Sequence, residues 1–309
     1  MATASTTRAP VSARHGITPL RRSQARTAWL LALPFLLLFA AFTIGPVLAS
    51  LLMSFTDMRS ADLRSPLAVD FAGISNYTDL FADPLFRKVA VNTAIFVVVG
   101  VPLTMALALA AAVGLNGITR VRSFFRLGYY LPVITSIVAV AVVWRFLLQP
   151  DTGPINQLLG LVGVDGPNWL ESTTLALPTL IVMTTWRNLG YLMVIFLAGL
   201  QTVPREMLEA AEVDGAGRWQ RFRYVTLPIM RPTLLFGAVI TSIGYLQFFE
   251  EPFVMTQGGP LDATRSVAMY VYDQFGFGNY GFATAASYVL FVAIAALTFV
   301  LFRALQPRE

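Results

Sequence analysis

Long uncharged, apolar segments alternate with shorter polar segments along most of this 309-residue chain. One helical crossing of a bilayer core needs about 20 apolar residues, and a charge at the centre costs about 2.5 to 3.5 kcal/mol on insertion scales. Segments of this kind cover residues 27–56, 89–119, 127–148, 172–204, 232–249 and 274–302, although Arg145 and Arg187 interrupt the third and the fourth. The pattern predicts an all-α integral membrane protein with six transmembrane helices.

The arginine residues are concentrated in four polar segments. These segments hold 15 of the 22 Lys and Arg residues and comprise residues 1–27, 120–126, 205–231 and 303–309. Because basic loops tend to stay in the cytoplasm, six spans place both termini inside. The formal net charge of +5 is then explained by membrane topology, and no nucleic-acid partner is expected.

The first 27 residues are rich in Ser, Thr, Ala and Arg, a composition typical of disorder. We predict a basic, disordered cytoplasmic tail over residues 1–27. The apolar segment that follows is about twice as long as the core of a secretory signal, which indicates an uncleaved membrane anchor.

Several kinds of chemistry are excluded by residue type. The chain has no cysteine and one histidine, His15, so thiolate metal sites cannot form and a catalytic triad is difficult to build. Its one lysine, Lys88, does not follow a glycine-rich phosphate-binding loop. We expect no metal and no cofactor in this chain, and any ATP hydrolysis has to come from another polypeptide.

A polar segment lies between the fourth and fifth apolar segments. Pro204 suits the start of a helix, residues 205–213 are good helix formers, and Gly215 can take the left-handed conformation that ends a helix. Apolar residues then recur at helical spacing, at Trp219, Phe222 and Val225. We predict two short helices around a hinge.

This polar segment resembles the EAA loop of bacterial ABC importer permeases. The resemblance rests on Glu209-Ala-Ala, Gly215 and Val225-Thr-Leu-Pro228; the family usually has Ile where Val225 stands. Further matches narrow it to carbohydrate importers of the maltose, glycerol-3-phosphate and trehalose permease type: Asp214-Gly-Ala216, Trp219, Phe222 and Pro232.

In that family the loop is a coupling helix that docks into a cleft on the ATPase subunit. The resemblance implies that residues 28–305 form a type I importer transmembrane domain, with residues 201–231 as its cytoplasmic coupling loop. The coupling residues that it implies are Glu209, Ala210, Ala211, Asp214, Gly215, Ala216, Phe222, Leu227 and Pro228. The alternative is an ordinary amphipathic loop that lies on the bilayer.

The resemblance also implies partners and a mechanism. The chain would be a multi-pass permease subunit in a bacterial cell membrane, importing a sugar by alternating access, and not an enzyme. A second homologous permease would complete the channel, a dimer of ATPase subunits would bind ATP and Mg, and an extracellular solute-binding protein would deliver the sugar.

Polar residues near two predicted helices are candidates for the sugar pathway. Arg187 interrupts the fourth span, and a charge there should face a cavity or an acidic partner. Glu250 and Glu251 follow the fifth span and could bind sugar hydroxyls or pair with Arg187. The candidates are Trp186, Arg187, Asn188, Tyr191, Gln247, Phe249, Glu250 and Glu251. A structural ion pair or a snorkelling side chain for Arg187, and an outer interfacial position for the two acids, would explain them equally well.

Two other functions remain open at the level of sequence. An integral membrane enzyme acting on a lipid-linked sugar would need an acid pair at a membrane boundary, which Glu250 and Glu251 loosely provide. An ion-coupled secondary transporter would need no ATPase. The sequence does not identify the sugar.

Overall fold

The computed structural model describes residues 19–65, 69–117 and 122–305. The chain divides into two compact units, Met1–Leu52 and Met53–Glu309. Among the described residues the secondary structure is helical apart from one isolated β-bridge, between Thr56 and Phe71. The predicted all-α membrane architecture is confirmed.

Among its described residues, the first unit is one long helix that is apolar beyond Arg26. It consists of α1 (Pro19–Phe39), a π-helical turn (Ala40–Ile44) and α2 (Gly45–Met53). Pro46 has no backbone N–H and its ring would collide with the carbonyl four residues earlier in a regular helix. The wider turn relieves this conflict, and the Gly45 N–H bonds to the Ala40 carbonyl five residues back.

The predicted disordered tail, residues 1–27, needs a correction. Helix α1 already begins at Pro19, so disorder is the wrong prediction for residues 19–27. Proline suits the first turn of a helix, and the Leu, Arg, Gln and Ala residues that follow are good helix formers that extend the apolar helix. Residues 1–18 lie outside the described part of the chain.

The second unit contains thirteen further α-helices among its described residues, a 3₁₀ turn (Ser60–Arg64) and a π-helical turn (Phe222–Thr226). The α-helices are α3 (Ser75–Ala82), α4 (Pro84–Asn116), α5 (Arg122–Ile134), α6 (Ile137–Leu147), α7 (Pro154–Leu161), α8 (Ala176–Gln201), α9 (Arg205–Val213), α10 (Arg218–Arg221), α11 (Leu227–Ile229), α12 (Arg231–Leu246), α13 (Glu250–Met255), α14 (Val267–Gly276) and α15 (Tyr280–Leu305).

Four helices within the described ranges are long and apolar enough to cross a membrane: Thr27–Met53, α4, α8 and α15. Two bent pairs raise the number to six if each pair is one span. The α5–α6 pair bends by 97°, and the pair formed by Arg218–Ile229 and α12 bends by 69°. The count of six spans therefore stays a prediction.

The third predicted span is not one continuous helix. Pro132 near the end of α5 removes a backbone donor, and the Thr135 hydroxyl donates to the Leu131 carbonyl at 2.9 Å. Ser136 then takes an extended backbone conformation (ψ 130°) before α6 begins. The sequence pattern indicated apolar length correctly but did not predict this break.

The last predicted span, residues 274–302, is also divided. Its first residues belong to the end of α14, and α15 starts at Tyr280. Gly278 lies between them with φ +78°, and an added Cβ would lie 2.6 Å from the Ser60 hydroxyl. A left-handed glycine in this close contact ends α14.

The core is built around α4 and α8. Buried side chains of both helices form two apolar clusters, one of which also contains α12 side chains such as Tyr245 and Leu246. Glycine permits close packing at key points: a Cβ on Gly190 would lie 1.8 Å from the Tyr129 carbonyl oxygen, and one on Gly100 would lie 2.5 Å from the Tyr245 ring. Small residues have this role in membrane helix bundles.

The segment between α13 and α14 is fixed to α4 by hydrogen bonds. The Asn92 side chain donates to the carbonyls of Asp262 and Arg265 at 2.8 and 3.0 Å. The Thr93 hydroxyl accepts from the Val267 N–H at 3.0 Å. These bonds hold the backbone that follows α13, and so position the short helix that carries Glu250 and Glu251.

Candidate functional site

A cavity of about 250 Å³ lies between α4, α8, α12 and α13. Six of the eight predicted pathway residues line it together: Arg187, Asn188, Tyr191, Gln247, Glu250 and Glu251. Residues far apart in the sequence therefore converge on one polar cavity inside an apolar bundle.

The other two predicted pathway residues do not line this cavity. Trp186 packs against Trp144, with ring centroids 5.7 Å apart. Phe249 stacks on Phe253 at 5.0 Å and also contacts Tyr272 at 5.2 Å. Both aromatic rings face other parts of the bundle, because each follows or precedes a cavity residue by one position and so points in another direction.

The cavity contains residues that sequence reasoning missed: Phe96, Thr184, Leu192, Ile240, Thr241, Gly244 and Tyr245. Phe248, whose ring the sequence suggests as an aromatic face for a sugar, also lines it. Some of these residues could have been found from their spacing along the sequence. Residues three or four apart share a helix face, so Thr184 lies beside Arg187 on α8, and Thr241 and Gly244 share a face of α12. Phe96 comes from α4, and no local pattern connects it with the others.

Glu251 is the most deeply buried charged residue of the cavity, with 5% of its surface exposed. One carboxylate oxygen, Oε1, lies 3.5 Å from the Thr184 hydroxyl, which is positioned to donate to it. The other, Oε2, is buried and has no hydrogen-bond partner in the structure. A buried polar atom without a partner costs about 1 to 3 kcal/mol, so this oxygen is a candidate ligand contact.

Arg187 is near Glu251 but forms no ion pair with it. No charged group within the described residues lies within ion-pairing distance of the Arg187 guanidinium, although its charge acts electrostatically on Glu251. The Arg187 Nε is buried and also has no hydrogen-bond partner. The sequence left open a pairing of Arg187 with Glu250 or Glu251, and no ion pair joins them in this structure.

One wall of the cavity is held rigidly. The Thr104 hydroxyl on α4 shares a hydrogen bond with the Tyr245 hydroxyl on α12 at 2.6 Å and lies 3.0 Å from the Thr185 hydroxyl on α8. Phe96 and Phe248 stack face to face, with centroids 3.8 Å apart. Three helices are joined here by polar and aromatic contacts, so the shape of the wall is defined.

The polar segment after α8 forms a second candidate site. Helix α9 spans Arg205–Val213, as predicted, and Gly215 follows with φ +83°. The Ala216 N–H bonds back to the Ala211 carbonyl at 2.9 Å, which closes the helix end. Beyond the glycine, α10 continues through the π-helical turn into α11. The predicted arrangement of two helices around a left-handed glycine is confirmed.

The predicted coupling residues differ in their exposure. Glu209, Ala210, Asp214 and Gly215 are exposed, whereas Ala211, Ala216, Phe222, Leu227 and Pro228 are half-buried. Two large apolar side chains beside them, Val213 and Trp219, are 88% and 72% exposed. An exposed tip with apolar side chains, carried on a half-buried base, has the form of a docking surface.

Long apolar helices around a polar cavity define an integral membrane protein of the transport class. The sequence profile of the binding-protein-dependent transport system inner membrane component family matches residues 30–309, and the chain belongs to this family.

Curated relatives are similar to this chain along most of their own length. The lactose transport system permease protein LacF of Rhizobium radiobacter is 35% identical over 298 residues, which cover 94% of this chain and 97% of the relative. The probable ABC transporter permease protein YesP of Bacillus subtilis is 38% identical, covering 87% of each chain. The trehalose/maltose transport system permease protein MalF of Thermococcus litoralis is 29% identical, covering 91% of this chain and 94% of the relative.

A solved structure shows the same fold. A chain of a bacterial ABC transporter involved in the import of the acidic polysaccharide alginate matches with a TM-score of 0.76 and 25% identity, covering 93% of this chain and 98% of that chain. The chain is thus a permease subunit of an ABC importer in the inner membrane and not an enzyme. The two alternative functions, a membrane enzyme and an ion-coupled transporter, are excluded.

Proposed function

We propose that this permease subunit imports a sugar by alternating access through the cavity between α8 and α12. The observation that carries the proposal is the convergence of Arg187, Asn188, Gln247 and two glutamates on one cavity with aromatic walls. Saccharide sites combine hydrogen-bonding side chains with an apolar or aromatic face. The printed names of the lactose and trehalose/maltose relatives support the same class of substrate.

A second, related permease completes the pathway. In the isolated chain, Gly244, Gln247 and Glu250 line the cavity and are exposed, and a Cβ on Gly244 would meet nothing within 4 Å. Groups of this polarity are costly against lipid. A facing subunit would cover them and supply the other half of the wall.

The α9–α10 segment couples the bundle to a dimer of ATPase subunits, which bind the ATP and Mg. Its exposed tip, Glu209 to Ala216, enters a cleft on the ATPase, and the half-buried Phe222, Leu227 and Pro228 transmit the movement to α12. The absence of a phosphate-binding loop from the sequence supports this division of labour.

The basic segments set the orientation. Residues 1–27, 120–126, 205–231 and 303–309 lie on the cytoplasmic side with both termini. The segment 57–88 and the loops 149–172 and 256–266 then face outward, where an extracellular solute-binding protein delivers the sugar.

Uptake of labelled sugars tests this function. We expect cells that carry the gene to accumulate one mono- or oligosaccharide, to lose that uptake when the gene is deleted and to regain it on complementation. The purified chain should bring down an ATPase and a second permease. A chain that purifies alone, in cells whose sugar uptake is unchanged by the deletion, would contradict the proposal.

A further inference from the structure

The described lining of the cavity contains more acidic than basic side chains. Among the described residues that line it, Arg187 is basic and Glu250 and Glu251 are acidic. No ion pair joins the arginine to either glutamate. Charges that line a cleft with apolar walls produce a field that concentrates ligands of one sign and repels those of the other. Burial raises the pKa of the Glu251 carboxyl. When both glutamates are ionised, two carboxylates face one guanidinium and the field in this cavity opposes anions.

Two buried polar atoms of the cavity that have no hydrogen-bond partner also favour an uncharged ligand with hydroxyl groups. Glu251 Oε2 is a buried acceptor without a partner, and Arg187 Nε is a buried donor without a partner. A saccharide hydroxyl can donate to the carboxylate and accept from the guanidinium, because it carries one proton and two lone pairs. A carboxylate or sulfonate group placed at this point has no proton to donate, so it would leave Oε2 unsatisfied and bring like charges together.

We propose that this cavity selects uncharged saccharides over those with a carboxylate, sulfonate or phosphate group, and that Glu250 and Glu251 set this selectivity. The inference rests on the proposed sugar-import function and names the class of substrate for the same cavity. The positive charge of Arg187 reduces the repulsion of anionic ligands but does not reverse it, because the two carboxylates together carry one more charge than the guanidinium.

A chemical probe can measure this selectivity without the solute-binding protein. The chain has no cysteine, so Gly244→Cys places the chain's one thiol in the cavity wall, at a position where an added Cβ meets nothing within 4 Å. The assembled importer is treated with methanethiosulfonate reagents of similar size that are anionic, neutral or cationic. The reaction rate of this chain is followed by its mass.

The matched control is Gly160→Cys on α7. Gly160 is also an exposed helical glycine with nothing within 4 Å of an added Cβ, and it does not line the cavity. Dividing the cavity rates by the control rates removes the intrinsic reactivity of each reagent. We expect the anionic reagent to be slower than the cationic one at Gly244→Cys by about tenfold after this correction.

Charge removal supplies the second readout. Glu250→Gln changes an exposed residue and leaves one carboxylate facing one guanidinium, so it should remove most of the difference between the reagents. Adding Glu251→Gln leaves Arg187 alone and should make the anionic reagent the faster one, whereas Arg187→Gln should increase the original difference. Equal or faster modification by the anionic reagent in Gly244→Cys without these changes, or an unchanged ratio in Glu250→Gln and the double variant, would overturn the proposal. Failure of the neutral reagent to reach Gly244→Cys in any nucleotide state would overturn it too, since no saccharide could then enter.

The outcome is separable from that of the proposed function. If the complex imports neutral and acidic sugars equally well, sugar import stands and the selectivity is wrong. If it imports no sugar while the cavity still repels the anionic reagent, the electrostatic finding stands and the proposed function fails.

Discussion

Glu212 on α9 and Arg221 on α10 form an ion pair across the left-handed turn at Gly215. The pair joins the two helices of the polar loop at a point where the backbone alone would allow several angles between them. An exposed pair of this kind contributes at most about 1 kcal/mol, so the turn itself has to define the angle. We therefore expect the loop to be sensitive to changes at the glycine.

Gly215→Val should uncouple ATP hydrolysis from uptake. Gly215 has φ +83°, which costs a β-branched residue about 1 to 2 kcal/mol or more, while an added Cβ would meet nothing within 4 Å. The strain therefore stays local: we expect normal amounts of protein in the membrane, retained ATPase activity and severely reduced uptake. The measurement compares sugar uptake with ATP hydrolysis in proteoliposomes.

The control for this change is Gly217→Ala, two residues further on. Gly217 has φ −66°, and its added Cβ would lie no closer than 3.6 Å to the Gln220 side chain. Uptake by this variant should stay near normal. Normal uptake by Gly215→Val would argue against a coupling role for the turn.

Glu209→Lys should also uncouple transport, through charge and not through stability. Glu209 is exposed and makes no ion pair among the described residues, and surface substitutions of this kind alter stability by less than about 0.5 kcal/mol. We expect a several-fold loss of uptake with an unchanged melting temperature. Glu206→Lys, another exposed acid on α9, is the matched charge control, and an equal loss in both variants would indicate a general effect of charge on the loop.

Gly190→Ala should destabilise the bundle. An added Cβ would lie 1.8 Å from the Tyr129 carbonyl oxygen, and overpacking of a well-packed interior costs about 1 to 3 kcal/mol. We expect a lower melting temperature of the purified complex and less protein in the membrane. Gly128→Ala on α5 has open space around its Cβ and should leave both quantities almost unchanged. Equal melting temperatures for the two variants would contradict the close packing of α5 against α8.

Exchange of charges across the cavity should show whether Arg187 and Glu251 act together. Arg187→Glu places three acids around one cavity and should strongly reduce uptake. Adding Glu251→Arg restores the original charge balance, and we expect partial recovery. Because the two side chains do not touch in the native chain, recovery should stay incomplete. No recovery in the double variant, with normal amounts of protein in the membrane, would show that their electrostatic interaction is not used in transport.

The parts of the structure that follow local rules were predictable from the sequence. The bounds of α9 and the left-handed Gly215 follow from helix propensity and glycine geometry, and Arg187 is conspicuous because a charge in an apolar segment is costly. Polar side chains in and beside the apolar segments also identified six of the fourteen residues that line the cavity. The coupling role of Glu209 to Pro228 comes from the family resemblance and stays a prediction.

Other features depend on contacts between distant segments. Tertiary packing sets the division between α14 and α15 at Gly278 and the position of Phe96 in the cavity wall. The length and composition of apolar segments do not reveal this packing, and they also do not register the local break that Pro132 causes between α5 and α6. Trp186 and Phe249 were assigned to the pathway for their aromatic character, and the helix turn directs them elsewhere. Disorder over residues 1–27 is a prediction from composition alone. Composition does not show that the helix of an apolar span can continue into the polar residues before it.

The most direct test of the account is a cross-link from the tip of the polar loop. Ala210→Cys places one reactive thiol on the exposed face of α9 in a chain without native cysteine. With a short photoactivatable reagent on that thiol, the assembled importer should yield an adduct between this chain and the ATPase subunit, and the thiol should be shielded from extracellular reagents. An adduct with lipid alone, or labelling of the thiol from the outside of intact cells, would contradict the coupling of this loop to the ATPase.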